Sequence, residues 1–504
     1  MTQSIWPKVS APFVRALLSA HSSLGLAVAA LLYLVCLTGA ILVFDHELSR
    51  WEQPQGPFVN TVSPQQTEAA VALAYERSLA LGVQKDVFVW PPKNDTRRLI
   101  IEAFDFPNGV SEKWAIDPSG DTIEPYKTPV VDLLTELHVR LHLPQTLGIS
   151  LVGALGIALL ASVISGLLAH PRVFKDAFAL RLGGAKRLQD ADLHNRLSVW
   201  GAPFHIVIAL TGALLGLSTV ILGALALVVF DGDIGAARSA IAGPVFEPDR
   251  TAAPLPPIAA PLQSLLEAHP DARFDRLRVA EIGTQGQNLL IILDRPGHLT
   301  NGERYMLDGT GALVSQTGFA EGSFGQQVLG ALPALHIGWY GGAPLKVAYA
   351  LLGLALTVIV ASSVSIWAAR RRDQGRPAPI RERLWIGWVW GQPLAFSGTA
   401  LVGLFAPVAS LPLLYLGLSA LSLCASALWR DRVRMSRRLR AATALAFALL
   451  TVAHAATWLG RIADPMAWAI NGALLVIAGL IGGSVILGGR RARTGNAALA
   501  SPAA

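Results

Sequence analysis

Charge is scarce in this chain of 504 residues. Asp, Glu, Lys and Arg make up 15% of it, against roughly a quarter in soluble proteins, which excludes an ordinary water-soluble enzyme. Cysteine is nearly absent too. Cys36 and Cys424 each sit inside an apolar run, so the segments outside those runs have no disulfide. CxxC and CxxCH are both missing, which excludes iron–sulfur clusters, thioredoxin chemistry and covalently attached haem. No basic loop is long enough for a flavin or nicotinamide domain. Any redox role therefore falls to non-covalent cofactors held by helices.

Apolar sequence is what the chain has in excess, at 52%. It is arranged in runs at 24–44, 147–169, 197–230, 345–369, 384–404, 408–428, 441–459 and 466–487. A helix needs about 20 such residues to cross the roughly 30 Å hydrocarbon layer. The pattern predicts an all-α polytopic membrane bundle of about eight transmembrane helices, with two small α+β modules outside it. The net charge of +7 is no nucleic-acid signal, because the basic residues sit beside alternate runs. Arg172, Lys175, Arg181 and Arg187 follow the second, Arg370, Arg371 and Arg372 the fourth, Arg432, Arg434 and Arg437 the sixth, and Arg490 and Arg491 the eighth. By the positive-inside rule both termini face the cytoplasm. The first run has no small-residue cleavage site after it and reads as a retained helix. The expected plan is 1–46 for the N-terminal segment and first span, 47–136 for a first outer module, and 137–230 for two spans and their loop. A second outer module follows at 231–335, a fourth span at 336–372, two further hairpins at 384–489 and a tail at 490–504.

The chain repeats itself. His21-Ser-Ser-Leu24 leads to Leu37-Thr38-Gly39-Ala40, and His194-Asn-Arg-Leu197 leads at the same distance to Leu210-Thr211-Gly212-Ala213. Each outer region has a helix-like stretch (67–81 and 261–268) and then a hairpin signal, Trp114-Ala-Ile-Asp-Pro-Ser-Gly120 in one and Tyr305-Met-Leu-Asp-Gly-Thr-Gly311 in the other. Each ends in Leu-His, at Leu137-His138 and Leu335-His336, and the return helices carry Ser165-Gly166 and Ser362-Ser363. This order of motifs over roughly 10–372 resembles the PepSY-associated transmembrane family, whose iron-regulated members include inner-membrane siderophore reductases. Residues 384–504 carry no motif of it, and Ser363-Val364 stands where the first half has Ser-Gly.

Eleven histidines then have to be sorted. At a membrane boundary the bland role is an interfacial polar residue. Ionisable groups inside membrane helices are costly and usually functional, however, and a bis-imidazole b-type haem needs two histidines from different helices. The duplication supplies depth-matched pairs, His21 with His194 on the inner side and His138 with His336 on the outer. The resemblance implies haem as well, so these four are the candidate axial ligands of two haems. His142, one turn past His138, is a substitute ligand or substrate contact. His205 reads as a ligand, a proton relay or a core residue, the last being the simplest. His170 and His454 read as structural, and His269 and His298 as solvated surface. Trp385, Trp388 and Trp390 read as an interfacial belt. Trp339, Tyr340, Gly341 and Gly342 suit either a ligand's approach or a simple turn.

The resemblance implies an electron-transfer protein that reduces ferric siderophore on the outer side, with quinol or a cytosolic reductase as donor and the bilayer as its surroundings. Asp45, Glu47, Asp105, Asp117, Asp132 and Glu136 are hard oxygen donors for released iron or, more simply, solvated charge. Two other classes compete. A non-catalytic module restraining a protein partner needs no haem, and a transporter is disfavoured because both repeats have one orientation. The topology is directly testable. A reporter active only in the cytoplasm should work when fused after Arg376 and fail after Asp249; the reverse result would invert the assignment.

Overall fold

A computed structural model describes residues 10–82, 86–93, 95–105, 110–117, 119, 123–169, 186–300, 302–318, 322–405 and 410–499. His170, Gly120 and the basic residues Arg172, Lys175 and Arg181 lie outside the described residues. The chain divides into two compact units, each built from separate stretches. A helical unit takes Met1–Pro54, Pro129–Gly216 and Lys346–Ala504; a sheet unit takes Gln55–Thr128 and Leu217–Leu345.

Helix α1 (Ala11–Leu42) starts at Ser10, whose hydroxyl accepts the Phe13 N–H, with Pro12 in the first turn. A short α2 (Asp45–Glu52) follows, and α3 (Pro64–Leu81) belongs to the sheet unit. The helical unit resumes with α4 (Pro129–Arg140), α5 (Gln145–Leu168), α6 (Lys186–Trp200) and α7 (Ala202–Gly216). Among the described residues six helices are long and apolar enough to cross a membrane, or up to eight if two bent pairs are each one span. The expected single span at 197–230 is not one helix. The chain bends by 71° between α6 and α7, where Gly201 precedes Pro203, a residue that lacks an N–H and crowds the preceding turn. It breaks again before α8 (Ser218–Val229), which with α9 (Ile234–Ala242) forms the second bent pair and lies in the sheet unit.

Small residues let these helices approach closely, as polar-poor bundles require. A Cβ on Gly156 of α5 would lie 2.9 Å from the Ala213 nitrogen of α7, and one on Gly216 would lie 2.6 Å from the Gly153 Cα. A Cβ on Gly353 of α12 (Gly342–Asp373) would lie 3.0 Å from that of Ala40 on α1. Ala40 and Ala213 are the last residues of the two LTGA tetrapeptides, so each tetrapeptide packs on a glycine of a return helix.

Four more helices complete the unit: α13 (Pro379–Gly403), α14 (Leu411–Leu428), α15 (Arg432–Thr457) and α16 (Pro465–Leu499). Two of the three tryptophans read as a belt also join helices. The indole of Trp388 donates to the Ala30 carbonyl and that of Trp385 to the Ala361 carbonyl, both at 3.0 Å, while the Tyr33 hydroxyl donates to the Val389 carbonyl at 2.7 Å. Away from water, an indole N–H is costly to leave unmatched.

In the sheet unit the two halves do not make separate modules. They share one eight-stranded antiparallel sheet in the order β4-β3-β2-β1-β5-β6-β7-β8. The first four strands are Asp86–Trp90, Leu99–Asp105, Val110–Ile116 and Ile123–Pro125; the second four are Arg273–Ala280, Asn288–Asp294, Glu303–Asp308 and Leu313–Thr317. The halves meet where Val87 and Val89 of β1 stand opposite Val279 and Leu277 of β5. Alternation of buried and half-buried residues along β2 gives one face to the core, where Val89, Ile101, Leu277 and Ile291 pack with α3 and α10 (Ala259–Ala268). The expected Asp-x-x-Gly hairpin joins β7 to β8, with Gly311 at φ +83° and its N–H donating to the Asp308 carbonyl.

One carboxyl beside α4 predicts a pH response. Glu52 accepts the Val130 and Val131 N–H groups at 2.9 and 2.8 Å, and burial pushes its pKa up to about 8 against those two bonds, with Asp132 adding to the rise. A carboxyl raised in the fold stabilises it fully below its ordinary value near 4.5, and that contribution is lost as pH rises through 8. Thermal midpoints in detergent should therefore fall between pH 6 and pH 9 more steeply for the native chain than for Glu52→Gln. Equal slopes would show that Glu52 ionises normally.

Candidate functional site

Five helices surround a cavity of about 230 Å³ in the helical unit, and three of the candidate histidines line it. His21 comes from α1, His194 from α6 and His205 from α7; Leu159, Val163 and Gly166 of α5 and Leu356, Val360 and Ser363 of α12 supply much of the rest. Apart from the imidazoles, Asn195 and a few hydroxyls the wall is apolar, as cofactor sites usually are.

His21 and His194 are held in the same way. The Nδ1 of His21 lies 3.0 Å from the Ser162 carbonyl and 3.1 Å from the Ser165 hydroxyl. The Nδ1 of His194 lies 3.0 Å from the Ile359 carbonyl and 3.1 Å from the Ser362 hydroxyl. Each hydroxyl itself donates to the same carbonyl, Ser165 to Ser162 and Ser362 to Ile359. The carbonyls can only accept, so both rings carry their proton on Nδ1 and present Nε2 as the lone-pair nitrogen. This is the arrangement of a metal-ligating imidazole, whose second nitrogen is fixed by a backbone carbonyl. The Ser-Gly motif is thereby explained: Ser165 bonds His21, and a Cβ on Gly166 would come within 3.2 Å of its Cε1. Because Ser362 bonds His194, the second-half counterpart is Ser362-Ser363 and not the expected Ser363-Val364. Gly25, one turn past His21, also lines the cavity, and a Cβ there would meet nothing within 4 Å. Two neutral imidazoles on one largely apolar cavity are the donor set that a bis-imidazole haem would take.

His205 is the third imidazole. The bend before α7 turns its helix away from that of His194, yet it reaches the same cavity. Its Nε2 is buried without a hydrogen-bond partner. Only glycine fits at position 201, where a Cβ would lie 2.4 Å from the His205 Cε1. Its sequence counterpart Leu32 lines the cavity too. No group of three His, Cys, Asp or Glu suited to a bare metal ion occurs among the described residues.

His138, on α4, repeats the pattern elsewhere in the helical unit. Its Nδ1 lies 2.9 Å from the Val35 carbonyl of α1 and 3.5 Å from the Thr38 hydroxyl, which donates to the Leu34 carbonyl at 2.8 Å. Thr211 donates likewise to the Val207 carbonyl at 2.7 Å. Gly39 leaves room for the ring, since a Cβ there would lie 2.6 Å from the His138 Cε1. His336 is half-buried on α11 (Phe324–Ile337) of the sheet unit.

The other expectations divide. His142 is not on the His138 face: α4 ends at Arg140, and Leu141 and His142 both take left-handed conformations, at φ +55° and +53°. Its Nε2 is buried without a partner, and burial holds its pKa below the usual histidine value. His454 is structural as expected, with Nε2 donating to the Trp51 carbonyl at 2.7 Å and Nδ1 accepting from Asn471 at 3.1 Å. His298 is exposed, whereas His269 sits against Tyr305. Trp339–Gly341 is a single 3-10 turn leading into α12. Glu47 is paired with Lys346 in a buried ion pair, and Glu136 with Arg140 in a half-exposed one.

Residues 18–370 match the family model described as the PepSY-associated TM region. The chain is also 30% identical over 368 residues to an uncharacterized protein of Pseudomonas aeruginosa, a match covering 66% of this chain and 89% of that one.

The glycine of the first tetrapeptide gives a direct test of the His138 packing. Gly39→Ala should cost roughly 1–3 kcal/mol, the usual effect of overpacking, read as a lower thermal midpoint. Gly25→Ala, in open space within a helix, should leave the midpoint unchanged or slightly higher. Equal effects would mean that His138 is not packed against Gly39.

Proposed function

This chain belongs to the PepSY-associated transmembrane family, and from that premise we propose that it is a membrane electron-transfer protein that holds b-type haem and reduces ferric siderophore. The observation that carries the reading is the pair His21 and His194, each with Nδ1 committed to a carbonyl, on one largely apolar cavity. A haem held by two imidazoles supplies a one-electron couple. The remaining contributions are those of the chain. The Ser162 and Ile359 carbonyls set tautomer and ring orientation, Gly25 leaves space for a planar group, and the leucine and valine wall excludes water.

His138 and His336 are the residues for a second haem. His138 has the same tie to a carbonyl, and His336 follows from the matching Leu-His pairs. The internal duplication behind both pairs is supported by the repeated contacts of His21 with α5 and of His194 with α12. Siderophore oxygens hold hard Fe(III) far better than Fe(II), so one-electron reduction releases the metal without an acid, a base or a nucleophile. The alternating basic loops support a bacterial inner-membrane setting with both termini cytoplasmic and the sheet-forming segments outside.

The test is an absorption spectrum before and after dithionite. A Soret band with a sharpened reduced α-band is expected, and His21→Ala or His194→Ala should remove the same component. Gly25→Leu should lower haem content while the haem-free protein melts normally. His205→Leu, which copies position 32, should retain haem. A native protein without haem would leave the non-catalytic, partner-binding reading. Full haem content in both alanine variants would place the ligands elsewhere.

A further inference from the structure

The four C-terminal helices lie beyond the family region, which ends at residue 370, and the proposed function gives them no task. Their contacts are specific. Arg50 of α2 donates twice to Asp464, Nε to Oδ2 and Nη2 to Oδ1, each at 2.6 Å, and Asp464 is fully buried. The Trp51 indole donates to Asn471 of α16 at 2.8 Å; Asn471 donates to Nδ1 of His454 on α15, whose Nε2 donates back to the Trp51 carbonyl. The Trp51 and His454 rings stack at 4.4 Å. The Ala463 N–H donates to the Pro54 carbonyl at 3.1 Å. Arg50 and Trp51 are thus tied to the C-terminal helices by a closed, buried polar network, which fixes geometry more firmly than apolar packing alone.

The next residue, Glu52, faces the other way. Its two oxygens accept the Val130 and Val131 N–H groups in the first turn of α4, where orphan amides need a cap. Val130 also packs on the cluster of Trp51, Ala400, Leu450 and Ala467. His138 lies two turns further along α4, about 12 Å by helix geometry. A short helix moves as a body, so a shift at its first turn reaches His138 and its bond to Val35.

We infer that the C-terminal helices, acting through Arg50, Trp51 and Glu52 of α2, set the position of His138. The three are positioning residues for that imidazole. The mechanical link stands without the proposed function; only its effect on a bound haem rests on that reading.

The test uses full-length protein labelled with 15N-histidine in lipid vesicles. The His138 Nδ1–H signal is read by solid-state NMR and assigned through a His138→Ala variant. Asn471→Leu, which breaks the network at nearly constant volume, and Glu52→Ala, which removes the cap, should each move the His138 signal while those of His21 and His194 stay in place. Hydrogen exchange at Val130 and Val131 should rise at least tenfold in both variants. A stationary His138 signal, or a shift of all three histidines together, would overturn the inference. Haem content is measured on the same samples, so an absence of haem would count against the proposed function alone.

Discussion

An imidazole inside an apolar bundle has two nitrogens to satisfy, and the fate of each decides what the residue can do. Where both are matched within the protein, as in His454 between Trp51 and Asn471, the ring is a strut. Where a carbonyl takes Nδ1–H and a cavity receives Nε2, as for His21 and His194, the ring is oriented and its lone pair kept available. Serine one turn from that carbonyl bonds both partners and holds the ring in register. Much of the surrounding sequence follows from this one requirement. Gly166 and Gly39 make room for rings, and the return helices α5 and α12 offer the Ser162 and Ile359 carbonyls.

How much of this could be read beforehand depended on the range of the interaction. The candidate pair at His21 and His194 was legible because each histidine sits at a fixed distance from an LTGA tetrapeptide, and local repetition survives in sequence. The hairpin at Asp308 and Gly311 was legible for the same reason. The shared sheet was not, since the β1–β5 pairing joins segments far apart and nothing in either strand names its partner. The bend between α6 and α7 was hidden inside an apolar run, where Gly201 and Pro203 weigh little against many leucines. The tryptophans of α13 look interfacial by type, and the bonds of the Trp385 and Trp388 indoles to backbone carbonyls are something no side-chain pattern reveals.

His205 shows the limit from the other side. Sequence symmetry pointed away from it, because position 32 is leucine, and only three dimensions place it on the same cavity as the repeated pair. Its inclusion means that the two halves, similar in their ring-to-carbonyl bonds, are not chemically equivalent around the cavity they share.

The single sheet also constrains how the protein is made. Strand β1 leaves the ribosome nearly two hundred residues ahead of β5, the neighbour that covers one of its edges. At about 5–20 residues per second that interval is on the order of 10–40 s. During it the membrane helices between the two halves have to be inserted while an apolar strand edge stays unpaired. Such an edge invites pairing with the wrong chain. Completion of the sheet is therefore a late event tied to translation, and the exposed first half is the interval in which a chaperone has most to protect.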